Sequence, residues 1–357
     1  MMRSILLCCV ACGATRTPKS SSLANAADAV VGKRSYFIYG VRGSDPEVVP
    51  WSGAGTVLLD AGHAFVLERG DGRGRIQAVA GRPARTLGAA IEGEHPGSGL
   101  GMTAMPGVTP TVVVIADLVV VQGRSEMPPA SSSAGVPPLQ QNYLEVLRSN
   151  AHGLGNRLQQ LPWPAIRTVL LPSTDVDGDG RLDLVTYECA EKCTVGFWRA
   201  TATQLDAEKP IATWSNAERF VIGKSTPVGY VIVAAEPFAI RTYALERGAL
   251  RELAQVAHGP REDTTALMGP VAVGDFDHDQ KLDIAGVSRG NALFAWSNGK
   301  PVSVTNALSD RIQQIAFVDL DRDGDDDLLV ATDTDVAMYR GSPSGLESSP
   351  SWRAHLP

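Results

Sequence analysis

VDLDRDGDDDLLVATDTDVAMYRG, Val318 to Gly341, sets six aspartates within nine residues and then turns apolar. Carboxylates crowded within a few ångströms repel one another unless a cation neutralises them. Asp319, Asp321 and Asp323 alternate, Gly324 follows, and Asp327 closes the ninth position. The same frame stands in STDVDGDGRLDLVTY, with Asp175, Asp177, Asp179, Gly180 and Asp183. It stands again in GDFDHDQKLDIAGVS, with Asp275, Asp277, Asp279 and Asp283, where Gln280 takes the place of the glycine. Side chains two apart in a tightly turning loop converge their oxygens on one point. The seventh position adds a backbone carbonyl, here that of Arg181, Lys281 or Asp325. Oxygen donors without histidine or thiolate suit Ca2+, and the stricter octahedron of Mg2+ suits them less. Up to three Ca2+ ions are expected, one for each loop, each pinning the connection between two strands of a sheet.

An EF-hand is excluded on two counts. Its twelfth position needs a bidentate glutamate, and Thr186, Gly286 and Val330 stand there. The flanks LDLVTYE, LDIAGVS and DLLVATD read as strands rather than helices. A single loop of this kind could be a solvated acidic turn, since Asp and Gly are ordinary turn residues; three at blade-like intervals are not explained that way. Asp326 exceeds the ligand set and reads as a solvated charge. A left-handed backbone at position six would cost Gln280 roughly 1 kcal/mol.

Working outward, the loops sit inside a repeat. Strands carrying an aromatic recur at Trp198, Tyr243, Trp296 and Tyr339, spaced 45, 53 and 43 residues apart. In three of these four units an aspartate loop precedes the aromatic. From Ser35 onward the apolar runs are short, often β-branched and punctuated by Gly, Pro, Asn or Asp, as in TVLLD, HAFVLE and YVIVAAE. A repeat of about 47 residues holds four short strands that cannot bury both faces alone, and radial stacking solves that. The chain is expected to be an all-β, seven-bladed β-propeller of four-stranded antiparallel blades over 35–357, with six blades as the alternative count. One stretch departs from strand rhythm. PLQQNYLEVLRSNAHGLGNRLQQL places Leu139, Tyr143, Val146 and Leu147 on one helical face, after the Pro/Ser-rich SEMPPASSSAGVPP. A loop and a short helix inserted at 124–161 are expected there.

VLLPSTDVDGDGRLDLVTY, VAVGDFDHDQKLDIAGV and IAFVDLDRDGDDDLLVA together resemble the FG-GAP/VCBS repeat family of calcium-binding propellers, related to the blades of integrin α-subunit heads. The resemblance covers Thr168 to Gly341 and implies that the aspartates at loop positions one, three, five and nine are metal ligands. Residues 35–160 share only the strand rhythm.

Composition sets wider limits. The 357 residues are 44% hydrophobic and 20% charged, with 36 Gly and 23 Pro, which favours many turns and short elements. A net charge of −7 and the lack of a Lys/Arg stripe argue against nucleic-acid binding. MMRSILLCCVACGAT is too short to span a bilayer but resembles a compressed export signal over 1–13. Its Cys9-Val10-Ala11-Cys12-Gly13 resembles a lipoprotein cleavage box that would acylate Cys12, with Leu6-Leu7-Cys8-Cys9 as a competing register. Residues 14–34 read as a tether. An extracellular, periplasmic or outer-surface location is expected, and there Cys189 and Cys193, on either side of a short hairpin, would form a disulfide.

The sequence offers no catalytic motif: no HExxH, no G-x-S-x-G, no P-loop and no zinc quartet. Gly70-Asp71-Gly72-Arg73-Gly74 reads as a hairpin turn. The expected function is a non-catalytic surface module that binds a protein or glycan partner. The alternative is a hydrolase or lyase of extracellular polysaccharide on the same scaffold.

Overall fold

The computed structural model describes residues 26–356 except 32–33, 41–44, 54–55, 61–62, 71–72, 81–84, 95–111, 116, 128–138, 151–152, 164–167, 176–178, 190–192, 216–219, 226–228, 236–238, 247–248, 258–266 and 306–307. The leader, its Cys12 and most of the tether therefore lie outside the described residues. Every regular element described is a strand.

The strands form antiparallel meanders in chain order. The first sheet has three strands, β1 (Ala26–Val31), β2 (Arg34–Tyr39) and β3 (Glu47–Pro50). The next two have four each: β4 (Thr56–Asp60), β5 (His63–Gly70), β6 (Arg73–Ala80) and β7 (Arg85–Glu94), then β8 (Val112–Ile115), β9 (Leu118–Met127), β10 (Leu139–Asn150) and β11 (Gly153–Trp163). β12 (Thr168–Thr174), β13 (Asp183–Cys189), β14 (Cys193–Trp198) and β15 (Ala212–Ser215) follow. Then come β16 (Phe220–Ser225), β17 (Gly229–Ala235), β18 (Ala239–Glu246) and β19 (Ala249–Ala257). β20 (Leu267–Gly274), β21 (Asp283–Ser288), β22 (Leu293–Ser297) and β23 (Lys300–Val302) make the next sheet, and β24 (Gln314–Val318), β25 (Asp327–Ala331), β26 (Asp335–Tyr339) and β27 (Trp352–His355) the last.

The first strand of each sheet touches the first strand of the next, from β1 through to β24, so these strands are the innermost. Apolar layers fill the spaces between sheets. Phe276, Ala285 and Val287 pack against Phe317, Leu328 and Val330; Tyr36 and Ile38 of β2 pack against Ala316, Val318, Leu329 and Met338, bringing the first sheet onto the last. The architecture is an all-β propeller. It is neither the seven- nor the six-bladed propeller of four-stranded blades expected, because among the described residues strand number varies and the first sheet has three. The chain from β3 enters β4 within six residues, 51 to 55 and then Thr56, too short a path to lay a fourth strand.

The expected helix is also corrected. Its stretch forms β10 and β11, a hairpin pairing Asn142 with Trp163. Tyr143, Leu144, Glu145, Val146 and Leu147 are all buried, because β10 has a sheet on each face. A strand buried on both sides loses alternation, and its apolar run can then be read at helical spacing. The Pro/Ser-rich stretch lies outside the described residues. Elsewhere the register supports the repeat: Trp198, Tyr243, Trp296 and Tyr339 all sit on third strands, opposite Leu184, Ile232, Ile284 and Leu328. Trp198 meets Trp163 of the preceding sheet edge-on at 4.8 Å between ring centres. Cys189 is the register partner of Cys193 across the β13–β14 hairpin; their side chains, and with them the expected disulfide, lie outside the described residues.

Candidate metal centre

Each aspartate loop joins the innermost strand of its sheet to the second, so all three open on the same face of the ring. The left-handed backbone at position six is present in each: Gly180 has φ 86°, Gln280 62° and Gly324 103°. His278 and Arg322, at position four, are left-handed too. These turns point successive N–H groups inward, and the aspartates accept them.

In loop two, 275–283, Gln280 N donates to Asp275 Oδ2 at 3.0 Å, and Asp279 N donates to Asp275 Oδ1 at 3.1 Å. Ser297 Oγ, at the end of β22, donates to Asp277 Oδ2 at 2.8 Å. Asp283 opens β21 with no exposed surface; its Oδ2 accepts from Phe276 N at 2.9 Å. Its buried Oδ1 has no hydrogen-bond partner among the described residues. Oxygens of Asp275, Asp277 and Asp283 lie within 4.8 Å of one another. Burial, then the charge of Asp277, pushes the Asp283 carboxyl up to about 8. Asp275 is pushed up as well, chiefly by burial. Such a group suits a positive charge, since the buried Oδ1 of Asp283 accepts no hydrogen bond among the described residues while two further carboxylates converge beside it. Asp279 falls outside this converging group. Burial opposes its ionisation, but Asn298 at 2.7 Å and Lys281 at 2.8 Å hold its carboxyl below the usual range.

In loop three, 319–327, oxygens of Asp319, Asp321 and Asp323 gather within the same 4.8 Å. Asp327 is fully buried and spends both oxygens on the backbone, accepting from Leu320 N and Gly341 N at 3.1 Å each. Burial raises its carboxyl to about 7. Arg340 Nε approaches Asp321 Oδ2 at 3.0 Å, so the chain supplies this cluster with one cation of its own. Asp325 is buried and faces His278 of loop two at 3.3 Å.

In loop one, 175–183, Asp175 accepts from Gly180 N, Asp179 from Arg181 N and Asp183 from Ala200 N, each at 2.9 Å. Asp177 lies outside the described residues. The side chains of Arg181 and Lys281 are exposed, as their expected role through the backbone carbonyl allows.

Three residues were missed in the sequence. Ser297 and Asn298 come from a turn some twenty residues downstream and left no signal. Asp326, read as a solvated charge, is half-buried; its Oδ2 accepts from Asp275 N at 2.9 Å, and burial pushes its carboxyl up to about 6. Its signal was legible, because Leu182 and Leu282 hold the same loop position in the other two frames.

Comparison with known proteins follows this geometry. A model of the FG-GAP-like repeat matches residues 275–330, spanning loops two and three. No curated protein matches in sequence. Among solved structures, the periplasmic gluconolactonase PpgL of Pseudomonas aeruginosa is 16% identical with a TM-score of 0.54, covering 92% of this chain and 95% of that one. A Bacteroides uniformis protein assigned by name to the 6-phosphogluconolactonases is 13% identical with a TM-score of 0.53, covering 91% and 96%. Kluyveromyces lactis Hsv2 is 10% identical with a TM-score of 0.52, covering 99% of each.

The likeness is one of fold. It corrects the family reading from Thr168 to Gly341: the FG-GAP-like match is confined to 275–330, and the chain-long likeness is to lactonase-type and other propellers rather than to integrin-type ones. It also corrects the expected non-catalytic binding module. Two of these three propellers carry lactonase names. The structure identifies no protein or glycan partner.

Proposed function

We propose that this chain is an exported hydrolase acting on sugar-derived lactones or esters, with Ca2+ held in its aspartate loops. The observation that carries the reading is the buried Oδ1 of Asp283, gathered with Asp275 and Asp277 at the end of an innermost strand. A propeller hosts many chemistries, so the named relatives supply only the reaction class and the residues must supply the site. The donor set is oxygen alone, which fits Ca2+. Asp275, Asp277 and Asp283 hold it in loop two, with the Lys281 carbonyl and the more distant Asp279 completing the frame. Asp319, Asp321, Asp323, Asp327 and the Asp325 carbonyl serve loop three. Asp175, Asp177, Asp179, Asp183 and the Arg181 carbonyl serve loop one.

When bound, such an ion neutralises the clustered carboxylates and can polarise an ester carbonyl. The chain's own groups do the orienting: the Ser297 hydroxyl fixes Asp277 and the Phe276 N–H fixes Asp283. The export-like leader and the high free Ca2+ outside cells agree with a location beyond the cytoplasm, as does the periplasmic origin of PpgL.

The test is acid release from D-glucono-1,5-lactone by the purified full chain, followed in a pH-stat. Hydrolysis above the spontaneous rate is expected, lost in EDTA, restored by Ca2+, and impaired in Asp283→Asn. No acceleration of this lactone or of a polysaccharide panel, in protein shown by calorimetry to bind Ca2+, would sink the hydrolase reading and leave the cation reading standing.

A further inference from the structure

Loops two and three belong to neighbouring blades yet hold each other by main-chain contacts. Asp326 N donates to Asp275 O at 3.1 Å, while Asp326 Oδ2 accepts from Asp275 N at 2.9 Å. One side chain and its own amide thus clamp both polar groups of the first residue of the neighbouring loop. Two further contacts flank the clamp: His278 Nδ1 lies 2.8 Å from Gly324 O, and Ser342 N donates to Phe276 O at 2.8 Å. The packing leaves no slack. A Cβ on Gly274 would lie 2.5 Å from Phe317 Cβ and 2.8 Å from Asp326 Oδ2.

The clamp is particular to this pair of loops. In loops one and two position eight is leucine; Leu182 and Leu282 are half-buried and pack into the apolar layers that their blades share with the preceding ones. Only loop three places a carboxylate there. Loop one has no such neighbour, because the next blade joins β16 to β17 through Thr226-Pro227-Val228 and carries no aspartate.

We infer that Asp326 is a positioning residue for the loop-two cation site, acting from the next blade, so that loops two and three bind their cations as a linked pair while loop one binds alone. This rests on the cation reading above. Asp326 is not in the converging set of either loop. It fixes the backbone from which the Asp275 carboxylate is aimed, and partners that orient a metal ligand are worth about 10- to 100-fold in metal affinity.

Calorimetric Ca2+ titration of the full chain tests this, using a parent in which Asp175→Asn with Asp179→Asn silences loop one and Asp319→Asn with Asp321→Asn silences loop three. In that parent Asp326→Ala should weaken Ca2+ binding at loop two by at least about tenfold, while Asp326→Asn, which keeps an acceptor oxygen, should stay within about threefold. The Ca2+-induced rise in Tm should shrink in Asp326→Ala more than the Tm in EDTA falls. Unchanged affinity in Asp326→Ala, with Tm lowered equally in EDTA and in Ca2+, would make the clamp an ordinary structural contact and overturn the inference. A parent that takes up no Ca2+ and gains no Tm from it would overturn the cation reading itself.

Discussion

Asp283 and Asp327 hold the same place in consecutive loops and open the second strand of their sheets, each with no exposed surface. Burial raises one to about 8 and the other to about 7. An unfolded aspartate titrates near 4, so the folded protein without a cation binds more protons than the unfolded chain. The stabilising contribution of these groups is complete below about pH 4 and is lost as pH rises through 7 and 8. In EDTA, Tm should therefore fall between pH 4 and pH 8. With saturating Ca2+ the carboxylates stay ionised against the ion, and the fall should vanish. Scanning calorimetry in both buffers decides it, and a Tm in EDTA that is flat or climbs across this window would remove the case for protonated carboxylates. At this scale the sequence was informative wherever the signal is local. Spacing by two is enough to name Asp275, Asp277, Asp319, Asp321 and Asp323, and the glycines at position six of the other two loops mark the place where Gln280 is left-handed. Asp326 has its partner, Asp275, fifty-one positions away, and only the leucines at its position in the other two loops marked it as buried.

Between blades, the connection after Tyr339 does more than return the chain. Gly341 N donates to Asp327 Oδ1. A Cβ on Gly341 would press on the carbonyl of Asp326 and lie 2.7 Å from that of Phe276. Both obstacles are main chain, held by hydrogen bonds, so neither can move aside as a flexible side chain would. Gly341→Ala should cost roughly 1 to 3 kcal/mol, in the range of forced overpacking, and urea unfolding monitored by tryptophan fluorescence measures it. A cost under about 0.5 kcal/mol, the scale of a surface change, would show that the junction yields. Elements were legible in proportion to how one-sided their burial is. The strands after the aspartate loops were plain because an acidic turn marks their start. β10 was mistaken for a helix because Tyr143 to Leu147 are buried on both faces and periodicity no longer separates the two conformations.

Across the ring, the first and last sheets share no strand among the described residues. What joins them is side-chain packing, with Tyr36 and Ile38 set against Ala316, Val318, Leu320, Leu329, Ala331, Val336 and Met338, and Val48 and Trp352 at the margin. The three-stranded sheet is thus the seam, and its apolar layer must supply what a shared strand would otherwise supply by hydrogen bonds. The sequence revealed the repeat where aspartate loop and aromatic mark each unit. In 35–160 it revealed only rhythm, and the count of strands in the first blade depends on how soon the chain turns inward after Pro50, a matter of three-dimensional path. Ile38 is fully buried within the seam, so Ile38→Ala should cost about 2 to 5 kcal/mol as a cavity-forming change. Because no described strand crosses the seam, its loss should first appear there: native-state hydrogen exchange should quicken at β2 and β24 before it does at β13 or β21. Uniform quickening around the ring would mean that the sheets open together and that the seam is no weaker than any other junction.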